Sequence, residues 1–334
     1  MIGPPYLNDV FSRNPPDWTL TEAQIRQALI EHPEDELGIL HILHLGYYMQ
    51  GEYDECLETC EQILRLPCDK QYTAEVMNTM GYCYAQKFMR AKAVECYKKA
   101  MESDPVNGDA LNNLGELYVE ECNWDKAIET FNLLLKNEAW QIEALENLGY
   151  LHHLKQEYTQ SIIYYRKAIE LEPEVDYWVG QVGKMHYLLK EYTVSEVWFR
   201  KQLAMNPESE EAYYGIGSCL QERGDFYLAM HNYREALRIN PEYPRALNNI
   251  GKLHFDFEGD IKKAIEMIEK AIACSSDDDT DIRSTAYLNL KRVYKKLADD
   301  DKVEYYHMKF MECLGFTYEE ETDGEDYAGE EETG

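Results

Sequence analysis

Basic residues are scarce in this chain of 334 residues: 33 Lys and Arg stand against 63 Asp and Glu, for a formal net charge of −30. Backbone binding to DNA or RNA needs a positive field, so no nucleic acid partner is expected, and an anionic membrane surface is disfavoured on the same ground. Long apolar runs are missing as well. No stretch approaches the roughly 20 residues that cross a bilayer, so no membrane insertion is expected. The opening residues Met1, Ile2, Gly3, Pro4 and Pro5 lack the basic and apolar layout of a secretion signal, and a cytoplasmic location is expected.

The marks of metal and cofactor chemistry are also absent. There is no phosphate loop and no dinucleotide fingerprint. Asp277, Asp279 and Asp281 imitate the start of a calcium loop, but Ile282 and Leu288 stand where that loop needs Gly and Glu. Glu304 and His307 have the spacing of a di-iron half-site that has no second copy. The pairs His41 with His44 and His152 with His153 lack a carboxylate and cysteine arrangement around them. Among the nine cysteines, Cys56 and Cys60 are four apart without a second pair at ligand spacing. With Cys96 and Cys219 they fall on or beside helix-packing positions, as reduced small hydrophobes do. No cofactor, no metal and no catalysis are expected.

What the chain does have is a glycine every 34 residues, at Gly81, Gly115, Gly149, Gly183, Gly217 and Gly251. Around each, an apolar residue precedes it, a small residue follows twelve later, and a proline frequently follows twenty-four later. One copy reads Met80, Gly81, Tyr84, Ala93, Tyr97, Ala100 and Pro105; another reads Ile216, Gly217, Leu220, Ala229, Tyr233, Ala236 and Pro241. Apolar residues at Leu111, Leu114 and Tyr118, then at Ala127, Phe131 and Leu134, have the three- and four-residue spacing of amphipathic helices. Self-similarity at this period predicts a stack of two-helix units. Glycine within a helix costs about 1 kcal/mol, so a close helix crossing, with Ala93, Ala127, Ser161, Ser195 and Ala229 as the small partners, is the expected reason for it. Pro105, Pro173, Pro207 and Pro241 each end a second helix.

This pattern resembles the tetratricopeptide repeat family over about residues 37–317. The resemblance implies an all-α, right-handed superhelical solenoid of antiparallel helix pairs. Eight repeats are expected: 37–73, 74–107, 108–141, 142–175, 176–209, 210–243, 244–283 and 284–317. The outer ones are degraded, with His44 and Lys291 in the glycine position. In the seventh, one extra residue near Glu258 and Gly259 shifts the second helix. Residues 1–36 are expected to form an irregular arm and a capping helix that begins near Thr19. Residues 318–334, with nine acids and no bases, are expected to be a disordered acidic tail.

The resemblance further implies a concave groove lined by the second, fifth, sixth, ninth, twelfth and thirteenth residues of each repeat. These positions are acidic at Glu75, Asp109, Glu116 and Glu120. They turn aromatic and apolar at Tyr150, His153, Leu154, Tyr177, Tyr187, Leu188 and Tyr214. They become basic at Arg245, Lys252, Arg292, Lys295 and Lys296, with Lys184 contributing from repeat five. One reading is a peptide groove with apolar anchors in the middle. The other is that the rings pack between helices and the cations form a solvated face. Asn113, Asn147, Asn249 and Asn289 share the sixth position, a column able to grip a peptide backbone or to bond helix to helix. Gln181 and Gly215 interrupt it. The five-residue carboxylate clamp of some co-chaperones in this family has no match in any three consecutive repeats. Expected overall is a non-catalytic adaptor or scaffold that binds a peptide segment of a protein partner. The alternative is a structural subunit that assembles into a homo-oligomer or a larger complex through its edges and convex face. The acidic tail folding back on the basic repeats is a third expectation.

Overall fold

The computed structural model describes residues 18–105 and 107–316; the expected arm before residue 18 and the acidic tail after Thr317 lie outside the described residues. Seventeen α-helices and no strand occur among the described residues. The chain divides into two compact units that meet in sequence at Pro173 and Glu174.

The first unit opens with α1 (Trp18–Glu31), followed by four helix pairs: α2 (Glu36–Gln50) with α3 (Tyr53–Ile63), α4 (Lys70–Gln86) with α5 (Arg90–Ser103), α6 (Gly108–Glu120) with α7 (Trp124–Leu134), and α8 (Gln141–Leu154) with α9 (Tyr158–Leu171). The second unit holds four more: α10 (Asp176–Leu188) with α11 (Tyr192–Met205), α12 (Glu210–Glu222) with α13 (Phe226–Ile239), α14 (Pro244–Leu253) with α15 (Ile261–Cys274), and α16 (Thr280–Leu297) with α17 (Asp300–Cys313). Within each unit every helix packs on the next, and first helices of successive pairs also touch, α4 on α6 and α10 on α12 among them. Helices of 10 to 18 residues are marginal in isolation, so this stacking supplies most of their stability. In the first unit, α1 buries Ile25 and Ala28 in the same core as Ile39, Leu40 and Leu43 of α2.

Local chemistry sets the helix ends. Asp69, Asn107 and Ser209 cap α4, α6 and α12 by accepting the amide N–H three residues on. Asp104, Asn206 and Asn240 are extended because each precedes a proline, whose ring disfavours the helical region for its predecessor. Between the two helices of every pair, at the fifteenth position of the repeat or one place later in repeat seven, the chain turns through the left-handed region. Gly51, Gly224 and Gly259 serve there, but so do Phe88, Cys122, Gln156, Lys190 and Ala298 at φ between 54° and 62°.

The repeating glycine has a more specific partner than the small residue twelve later. A Cβ on Gly81 would stand 2.6 Å from the Tyr97 ring, on Gly115 2.4 Å from Phe131, and on Gly217 2.7 Å from Tyr233. Each of those rings lies sixteen residues after its glycine and is buried. The small residue twelve later marks the backbone crossing itself: Ser161 Oγ donates to the Gly149 carbonyl and Ser195 Oγ to the Gly183 carbonyl, both at 2.7 Å. In repeat seven the extra residue is taken up by a π-helical turn, His254–Glu258, that ends on Gly259 at φ 71°. The partner of Gly251 accordingly moves one place to Ile268, 2.5 Å from where a Cβ would stand. In repeat one the sizes are exchanged: buried His44 replaces the glycine and buried Cys60 replaces the ring. Desolvation, and then His41, push the His44 imidazole down to about 4, so it is neutral at pH 7.

Two outcomes are expected. Gly115→Ala overpacks the ring of Phe131 and lowers unfolding free energy by about 1–3 kcal/mol in urea titrations. Lys190→Gly relieves a left-handed backbone and raises it by about 1 kcal/mol.

Candidate functional site

The column of asparagines is occupied in holding repeats together. In the first unit Asn113 Nδ2 donates to Asn78 Oδ1 at 3.1 Å and Asn147 Nδ2 to Asn112 Oδ1 at 2.8 Å. In the second unit Asn289 Nδ2 donates to Asn248 Oδ1 at 3.0 Å. Each rung joins the sixth position of one repeat to the fifth position of the repeat before it. Asn249 is turned instead to the hydroxyls of Tyr233, at 3.1 Å, and Tyr214, at 3.4 Å.

Between α10 and α12 both rung positions are glycine, Gly180 and Gly215, and the rung is missing. A cavity of about 220 Å³ occupies the place. Its walls come from Gly180, Gln181, Lys184, Tyr187 and Leu188 of α10, and from Glu211, Tyr214, Gly215 and Ser218 of α12. Phe199 and Gln202 of α11 reach it from behind, and Tyr243 and Arg245 stand at the start of α14. Side chains at the two glycines would close it. A Cβ on Gly215 would meet Phe199 at 2.5 Å, and one on Gly180 would meet the Gln202 amide at 2.6 Å.

Gln202 is the unusual residue of this cavity. At its place in the repeat, other second helices carry Ala100, Leu134, Ala168 and Ala236, and Ala271 after the one-residue shift, all buried. Gln202 is only 3% exposed, and its Oε1 has no hydrogen-bond partner. A buried polar atom left unsatisfied costs about 1–3 kcal/mol, so a long amide here is a liability to folding that Gly180 accommodates in space but does not satisfy.

Electrostatics divide the cavity into an aromatic interior and a cationic mouth. Burial is the main cause that raises the phenols of Tyr187 and Tyr243, so both stay protonated at neutral pH. Tyr214 meets Tyr243 edge-on, with centroids 5.6 Å apart. The Lys184 side chain is open to solvent yet surrounded by protein; desolvation first, and the Arg245 guanidinium second, hold its ammonium below the ordinary lysine range, while Glu211 opposes them. Neither Lys184 nor Arg245 is ion-paired with a described residue. Among the described residues of the lining, no nucleophile stands beside a base.

The other expected residues lie elsewhere. Asn113, Asn147, Tyr150, His153 and Leu154 belong to the first unit, where Tyr150 is 48% exposed and its ring lies 6.5 Å from that of His153. In the second unit Tyr177 is exposed and does not line the cavity. Lys252 lines a different cavity, of about 230 Å³, with Phe226, Asp256 and Phe257. Arg292 is ion-paired with Asp256 at 2.9 Å and sits over the Phe255 ring. Of the basic series expected for repeats seven and eight, only Arg245 reaches the mouth beside Lys184. Residues missed from sequence are Gly180, Phe199, Gln202, Glu211, Ser218 and Tyr243; the signal for the polar back wall was Gln202 standing where other repeats mostly carry alanine. Cys56, Cys60, Cys96 and Cys219 are buried and unbridged. No group of described residues is arranged to hold a metal ion, and no described helix is long and apolar enough to cross a membrane.

Lys184 makes the site testable through stability. Because its folded-state affinity for protons is reduced, the unfolded chain binds more protons over the interval between the lowered value and that of free lysine, near 10.4, and stability attributable to this group rises with pH across that interval. Lys184→Gln is expected to raise Tm at pH 7 in calorimetry and to flatten that rise; a lowered Tm would mean that Glu211 outweighs desolvation and Arg245.

Tetratricopeptide repeat profiles match residues 87–146, 142–175, 210–243 and 244–278. No curated protein matches the chain. Among solved structures, a tetratricopeptide repeat protein from Parabacteroides merdae is similar at a TM-score of 0.61 and 20% identity, over 75% of this chain and 95% of that one. The C-terminal part of a TPR repeat-containing protein from Cytophaga hutchinsonii is similar at 0.56 and 15% identity, over 72% and 97%. Those likenesses concern the fold. The profile matches and the eight helix pairs among the described residues identify tetratricopeptide repeats in this chain and a fold shared with tetratricopeptide repeat proteins.

Proposed function

We propose that the chain is a non-catalytic scaffold that binds a peptide segment of a protein partner at the cavity of repeats five and six. The observation that carries this reading is the solvent-open cavity between α10 and α12, lined in part by expected groove positions and bearing two cations without ion-pair partners among the described residues. Apolar cavities with a few convergent polar groups are the usual form of an anchor site. A cytoplasmic location is part of the proposal, since the buried cysteines act as packing groups and not as bridges.

A second reading, assembly through an edge, has an observation of its own. Tyr227 is 77% exposed, and its ring meets that of Phe257 at 4.9 Å, with exposed Leu228 alongside. Exposed apolar clusters of this kind mark contact surfaces.

The two readings separate in one experiment. Wild-type protein and a Tyr187→Ala, Leu188→Ala variant of equal helicity are used for affinity capture from lysate and for light scattering. Loss of a partner from the variant alone is the expected result. Partners retained by both proteins, together with a mass that grows with concentration, would replace the cavity with the Tyr227 and Phe257 edge.

A further inference from the structure

We propose that the cavity of repeats five and six seats the phenol of a tyrosine whose neighbours in the bound peptide are acidic; this rests on the peptide-binding reading above. Size is the first argument. At about 220 Å³ the cavity lies below the roughly 300–1,000 Å³ of sites for drug-sized ligands, the scale of one side chain and not of a cofactor.

The walls select an aromatic ring. Phe199, Tyr187 and Tyr214 line the cavity with Leu188, and rings gain by offset or edge-on contact beyond the area they bury. At the back, the Gln202 amide, 3% exposed and with Oε1 unpartnered, favours a hydrogen-bonding tip on that ring. A phenol donates to the amide oxygen and accepts from the amide nitrogen, so it meets either end of the group. An indole only donates, and a phenyl ring does neither.

The mouth selects the neighbours. Lys184 and Arg245 have no ion-pair partner among the described residues, burial and then Arg245 hold the Lys184 ammonium down, and Glu211 is the only acid among the described residues of the lining. Carboxylates on the residues flanking the tyrosine would pair with both cations and relieve their repulsion. Two further cavities differ in this respect. The one lined by Tyr82, Arg90 and Tyr97 in the first unit carries two acids, Glu116 and Glu120, and the one at Lys252 carries Glu222 and Asp256.

The probe is a set of fluorescein-labelled nonapeptides, GSEDYEDSG and its relatives, titrated against the full chain by fluorescence anisotropy. The central tyrosine is replaced in turn by Phe, Trp and Ala, and the acids are replaced by their amides or by lysines. The tyrosine peptide is expected to bind saturably, and the Phe peptide about tenfold more weakly, the factor one ordinary hydrogen bond supplies. The amide and lysine frames are expected to lose at least that much again. Gln202→Leu is expected to abolish the preference for Tyr over Phe, and Arg245→Ala the preference for the acidic frame. The comparison among peptides on wild-type protein stands even if a variant fails to fold. Equal binding of the Tyr, Phe and Ala peptides would overturn this inference while leaving the peptide-binding reading in place. Absence of binding by every peptide would overturn it too, and the capture experiment then decides the broader reading independently.

Discussion

Repeats two to six are each organised by an aromatic ring laid against a glycine sixteen residues earlier. The ring needs the place of a Cβ, as at Gly115 and Phe131, where only 2.4 Å would separate them. Interiors packed to crystal density do not absorb such an overlap without strain. The contact therefore fixes where the second helix crosses the first, and the serine-to-carbonyl bonds at Ser161 and Ser195 follow from that crossing. Repeats one and seven obey the same volume rule. His44 takes the glycine place because Cys60 has given up the ring, and a π turn in repeat seven moves the partner of Gly251 to Ile268.

The candidate site arises where the volume rule is kept and the polar rule is not. Gly180 makes room for Gln202 and Gly215 for the far edge of Phe199. The amide thus accommodated has an oxygen without a partner, whereas the asparagine rungs satisfy each other at 2.8 to 3.1 Å. A missing rung and a long polar side chain at a usual alanine position act together: one opens the cavity and the other gives it a polar back wall. The cost in stability is of the kind that binding sites commonly carry.

Charge acts at two ranges. The whole chain is strongly acidic, at −30, but at physiological ionic strength fields between exposed charges fade over about 8 Å. At the mouth, the charged lining groups are Lys184, Arg245 and Glu211, and the balance there is positive. An anionic group at contact distance therefore meets attraction despite the sign of the molecule. Elsewhere in the second unit, Arg292 is engaged by Asp256 and Lys263 by Asp260.

The repeat period, the helix pairs and their ends were legible in the sequence, because each rests on local rules: glycine and small residues at crossings, prolines at stops, apolar residues at helical spacing. The groove positions counted from the glycine include Lys184, Tyr187, Leu188, Tyr214 and Arg245, and all five line the cavity. Its existence was not legible, since a cavity is made by absent side chains, at Gly180 and Gly215, and by Phe199 and Gln202 from a second helix that the groove positions do not include. Nor does sequence tell whether an asparagine faces a ligand or a neighbour; that depends on the register between repeats, which sets Asn147 on Asn112. Period and helices thus follow from the chain alone, because the contacts that enforce them close within a single repeat. The pairing of polar groups was settled in three dimensions, because it depends on what the adjacent repeat brings alongside: Asn147 met an amide there, and Gln202 met none for its oxygen.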